Sequence, residues 1–123
     1  MTPTTRSLLA AAVLMFVASP AFAECDMVVF PETHIGKDAN ADELRNVGTK
    51  IQEANGKLEK YNQCIDSMIK NKLPADATKD QIAAHEAEIN KHTDAYNKSL
   101  DNLSKAAAEY NEAVKAYKAR SQG

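Results

Sequence analysis

Apolar and small residues recur in three-four alternation from Leu44 to Met68, through Val47, Ile51, Ala54, Leu58, Tyr61 and Ile65. That spacing is a heptad seam, one stripe of a long helix that another element must cover. A second stripe follows at Ile82, His85, Ile89, His92, Tyr96, Ser99, Leu103, Ala106, Tyr110, Ala113 and Tyr117, widened by Leu100, Ala107 and Val114. The pattern predicts an all-α chain, a long antiparallel two-helix hairpin of coiled-coil character.

The ends of both helices carry their own signals. Asn40 is a good N-cap and Glu43 falls three residues later, where it can reach back to the cap; Asp42 and Glu43 suit the positive end of the helix dipole. The first helix is expected over about 41–72, closed by Pro74. Gly48 and Asn55-Gly56 weaken it, but the register passes through both unshifted, so the helix is expected to be continuous, with both glycines off the seam. Thr78 and Gln81 form a second capping box, and no Gly or Pro interrupts the chain from there to Gly123. The second helix is expected over about 79–119. The short link between them forces an antiparallel pair.

Folding back at Pro74 to Asp76 sets Ile65 against Ile89, Ile51 against Leu100 and Leu44 against Ala107. It leaves Tyr110, Val114 and Tyr117 overhanging, unless the segment before Asn40 or another chain covers them. These three are the candidate partner patch.

Residues 24–40 do not follow the helical pattern. Met27-Val28-Val29-Phe30 is β-branched and aromatic, Pro31 pushes Phe30 towards extended geometry, and Gly36-Lys37-Asp38 marks a turn. An extended arm is expected. It is long enough, at up to about 50 Å, to run beside the first helix and lay Val28, Phe30 and Ile35 into the open side of the groove. His34 would then lie near Ile51.

The start of the chain changes the compartment. Leu8 to Ala18 is wholly apolar but short for a membrane span, Ser19-Pro20 breaks it, and Ala21-Phe22-Ala23 supplies a small-x-small cleavage pattern. Residues 1–23 are expected to be a signal peptide, with cleavage before Glu24, no membrane span afterwards and a periplasmic or secreted product. An uncleaved anchor is the alternative. Lipoprotein processing fits poorly, because Glu24 precedes Cys25 where a small residue is needed.

Removing residues 1–23 takes Arg6 from the 15 basic residues and leaves 14 against 17 acidic ones, a net charge of −3. That balance disfavours nucleic-acid and anionic-membrane binding. Trp is absent, and Phe30 is the one Phe beyond the leader. Two cysteines in an exported chain point to a Cys25–Cys64 disulfide, with free thiols or an intermolecular pair as the other readings. Such a loop would stabilise the fold by roughly 4 kcal/mol at most.

Site chemistry is sparse. His85 and His92 share a stripe but stand about 10 Å apart along the axis, too far for one ion. Glu88 lies between them, so His85/Glu88 or Glu88/His92 could each supply two metal ligands, with no third in view. The plainer reading is a pair of partly exposed seam histidines. Tyr61, Tyr96, Tyr110 and Tyr117 all fall on the seam, as core residues whose hydroxyls reach the rim. No Ser/His/Asp grouping, phosphate-binding glycine loop or cofactor motif stands out, so no enzyme activity and no cofactor are expected.

Cys25 just after the cleavage site, an arm containing Pro31, Gly36-Lys37 leading into Ala41-Asp42-Glu43-Leu44, Tyr61-x-x-Cys64-Ile65 and a long second helix together resemble a group of small exported proteobacterial proteins. His34 stands where that group carries a proline before the turn. The resemblance implies a periplasmic, disulfide-bonded helical hairpin and implies no activity. The functional expectation is a non-catalytic envelope protein that binds itself or another protein through a helix face. A metal- or small-ligand-binding protein using His85, Glu88 and His92 is the second reading.

Overall fold

A computed structural model describes residues 25–122; the signal-peptide and cleavage readings lie outside the described residues. The fold is an antiparallel two-helix hairpin with an extended N-terminal arm as its third layer. Helix α1 spans Ala41–Lys70 and α2 spans Lys79–Ser121. No helix among the described residues is long and apolar enough to cross a membrane.

Both capping boxes form. The Asn40 side chain accepts from the Glu43 N–H and the Glu43 carboxylate accepts from the Asn40 N–H, each at 2.9 Å. Thr78 and Gln81 repeat the exchange at 3.1 and 2.9 Å. Four donors that the helices themselves cannot use are thereby satisfied. α1 ends two residues before the expected Lys72, because Asn71 turns to extended backbone (ψ 95°) ahead of Pro74. α2 outlasts its expected end at Ala119 by two residues. A tertiary contact holds that last turn: the Arg120 guanidinium donates to the carbonyls of Lys37 and Ala39.

The core is one side chain deep and falls into two clusters. The larger joins Ala54, Leu58, Tyr61, Ile65 and Met68 of α1 to Leu103 and Ala106 of α2, with Cys25 and Phe30 from the arm. The smaller joins Leu44 and Ala113 to Ala39, and Ile35, Tyr110, Val114 and Tyr117 pack against it. Alanines at the contact let the helices approach closely.

Contacts run further along α2 than simple fold-back matching puts them. Leu44 clusters with Ala113 rather than Ala107, and Tyr61 meets His92 and Tyr96. Helical side chains lean towards their own N-terminus. In an antiparallel pair the two leans oppose, so side chains meet at higher residue numbers than their backbones do, and long tyrosines meet higher still.

α1 is continuous through Asn55-Gly56. The two glycines differ, however. A Cβ on Gly56 would meet nothing within 4 Å, whereas one on Gly48 would stand 2.9 Å from the Tyr110 hydroxyl. Gly48 is therefore not off the seam; its missing side chain makes room for that phenol. Gly56→Ala should stabilise the protein by about 0.5–1 kcal/mol through helix propensity. Gly48→Ala should gain less, because the Tyr110 ring must shift. Urea denaturation of the two variants checks the order.

Candidate functional site

The arm is the best-defined recognition event in the molecule. Cys25 and Cys64 are bonded, with Cα atoms 5.8 Å apart, which pins the arm beside α1. From there it extends along the groove, and the hydrogen bonds that hold it come from α2. Phe30 N–H donates to Ser99 Oγ at 2.9 Å, and the same hydroxyl donates to the Val28 carbonyl at 3.1 Å. Asn102 donates to the Phe30 carbonyl at 3.0 Å. Val28 and Phe30 turn inward, while Met27 and Val29 point to solvent, the alternation of an extended chain. Helix backbone groups are already paired within the helix, so α2 side chains must satisfy the arm's backbone.

Further along, Glu109 accepts from the Ile35 N–H at 3.1 Å and meets His34 Nδ1 at 3.1 Å; His34 Nε2 meets Glu32 at 3.2 Å. His34 thus lies beside Glu109, past the expected position near Ile51. The Glu109 hydrogen bond, then its charge and the bond to Glu32, raise the His34 pKa above its ordinary 6.5. The His34 bond and the Ile35 N–H lower that of Glu109. Arg120, 5.9 Å above the Tyr117 ring, closes the arm's far end.

This path covers the candidate partner patch. Tyr110, Val114 and Tyr117 are half-buried against Ala39, Leu44 and Ala113, and Ile35 of the arm packs against the same cluster. They form one face, but as a second core and not as an open surface. The arm runs past the start of α1 before its turn, so the overhang of α2 is matched by the arm's end.

Besides Met27 and Val29 on the outer side of the arm, the exposed apolar surface lies on the helices. On α2, Asn102, Glu109 and Arg120 lie to one side of Ser99, and Leu100, Ser104 and Ala107 to the other. That other rim, with Ile51, Gln52, Asn55 and Leu103, lines a shallow groove of about 240 Å³. Leu100 is 43% exposed in it, and at the hairpin tip Ile69 and Ile82 are 56% and 42% exposed.

His92 departs from the partly exposed seam histidine that its stripe position suggests; it is buried, as is Tyr61. The Tyr61 hydroxyl lies 2.6 Å from His92 Nδ1, so this tyrosine, too, departs from the rim arrangement, and burial raises its pKa. Tyr61 donates and Nδ1 accepts, an assignment that follows from the hydrogen-bond network and leaves the ring proton on Nε2. Nε2 faces Glu88 at 3.7 Å. A metal ion at Nε2 would need the opposite tautomer and would strip the buried Tyr61 hydroxyl of its acceptor. His85 is half-buried about two turns away, and among the described residues no three His, Cys, Asp or Glu side chains form a metal-holding group.

Sequence reasoning missed Ser99, Asn102, Glu109 and Arg120 as the arm's docking residues. The available signal was Ser99 itself, a small polar residue on an apolar stripe that needs a partner once buried. No protein-family model matches this chain, and neither a curated protein nor a solved structure does.

Two substitutions test the docking. Cys25→Ser, or reduction, should lower the melting temperature, by up to roughly 4 kcal/mol of stability, and open the arm to proteolysis while far-UV circular dichroism stays helical. Ser99→Ala should cost about 1–3 kcal/mol, because it leaves the buried Phe30 N–H without an acceptor.

Proposed function

We propose that this chain is an exported, non-catalytic helical protein that works by binding another protein in the cell envelope. The observation that carries the reading is the unequal covering of the hairpin. The arm fills one side of the seam, while the other side leaves Leu100 exposed above Ile51, Leu103 and Ala107. An apolar groove rimmed by uncharged Gln52, Asn55 and Ser104 has the charge depletion that marks interface centres. Ile69 and Ile82 extend the apolar character to the hairpin tip.

Export is part of the same proposal. The apolar leader with its small-x-small end supports it, and the internal disulfide fits an oxidising compartment. The resemblance to small exported proteobacterial hairpins points the same way and adds no activity.

A photo-crosslinking residue at Leu100 should capture one defined partner, the same chain or another, in envelope fractions. The same probe on the exposed arm at Val29 should not capture it. Leu100→Lys should abolish capture and leave the melting temperature within about 0.5 kcal/mol of stability, as for an ordinary surface change. A clean monomer in light scattering, with no crosslinked partner at Leu100, would sink the proposal. Mass spectrometry of the exported protein should find an N-terminus at Glu24.

A further inference from the structure

The imidazole of His34 stands between two carboxylates, one on each ring nitrogen. Nδ1 lies 3.1 Å from Glu109 of α2 and Nε2 lies 3.2 Å from Glu32 of the arm. A neutral ring has one N–H and can donate to one of them; a protonated ring donates to both. The surroundings favour the cation. Asp38 of the turn and Glu43 of α1 line the same cleft of about 300 Å³ as His34. On α2, Lys105 is bonded to Asp101 at 2.9 Å and also feels the charge of Glu32.

Glu109 does two tasks at once. One oxygen takes His34 and the other takes the Ile35 N–H. Ile35 in turn packs against the same Ala39, Leu44 and Ala113 cluster as Tyr110, Val114 and Tyr117. The charge on His34 is thereby connected, through one carboxylate, to the segment that covers the tyrosine-bearing end of α2.

We infer that His34, Glu32 and Glu109 form a pH-sensitive clasp that grips the second half of the arm when His34 is protonated and loosens it when His34 is neutral. The disulfide and Ser99 hold the first half at either pH, and Arg120 holds the carbonyls of Lys37 and Ala39, so the change is confined to residues 32–36. Loosening frees Ile35 at the edge of the Ala39, Leu44 and Ala113 cluster, against which Tyr117 also packs.

The direction follows from linkage. The pKa of His34 is raised in the fold, so its contribution is complete below the ordinary value near 6.5 and is lost as pH rises through the raised value. That of Glu109 is lowered, so its contribution is complete above the ordinary 4.5 and is lost as pH falls through the lowered value. Both are complete between about pH 4.5 and 6.5, and on the alkaline side the clasp opens as pH rises through the raised His34 value. His34 and Glu32 are well exposed, with 69% and 72% of their side chains accessible, which keeps the effect small.

The experiment is amide hydrogen exchange of the disulfide-bonded protein by NMR from pH 5.5 to 8.5, corrected for intrinsic rates, together with titration of the His34 ring. Protection of the Ile35 amide should fall about two- to five-fold across the His34 titration, the scale expected of an exposed ion pair. The Tyr117 ring signals should shift with the same midpoint, and the Phe30 amide should not respond. His34→Gln should make the Ile35 profile flat, while His85→Gln should leave it as in the native protein. A flat profile in the native protein, or an equal slope in His34→Gln, would overturn the inference.

Discussion

The fold depends on an extended arm held in the seam of two helices. A hairpin of two helices buries a stripe on each and leaves two open sides. Here Phe30 and Cys25 enter one of those sides and convert a stripe into a core. The Cys25–Cys64 bond sets where the arm begins, and Arg120 sets where it ends. Between those points the arm has no strand to pair with. Its backbone is read by side chains of α2, with Ser99 accepting from one peptide group and donating to another. Helices present no free backbone donors or acceptors along their length, so an extended segment docked on them must be held this way.

Polar residues on the seam serve alignment. Ser99 is buried because the arm uses its hydroxyl, and His92 is buried because Tyr61 does. Each finds its partner in one register alone. A slip of α1 against α2 by a turn would part Tyr61 from His92 and leave a buried polar group unpaired, at a cost of about 1–3 kcal/mol. The apolar stripe by itself would tolerate such a slip far better, since Ala, Leu and Ile repeat along it.

The same arrangement divides the surface into unequal faces. One side of the hairpin is closed by the arm, a disulfide and a carboxylate–imidazole clasp. The other keeps Leu100 over a groove with small and amide-bearing rims. The open face combines an exposed Leu100 with a groove, whereas Met27 and Val29 stand on the outside of the docked arm.

Much of the architecture was legible in the residues. Two heptad stripes, two capping boxes, Pro74 and a lone pair of cysteines determined the helices, their starts, their antiparallel order and the tether, because these depend on local spacing and on covalent chemistry. What the sequence left open is where the arm lies. Whether Tyr110, Val114 and Tyr117 are surface or core and whether His34 stands near Ile51 or Glu109 both turn on the path of fifteen residues without periodicity. Only the tertiary structure decided that path, because it is set by side chains from α2 that meet the arm's backbone about 70 residues away in sequence. No spacing rule encodes such a pairing: a peptide group carries the same donor and acceptor at every position.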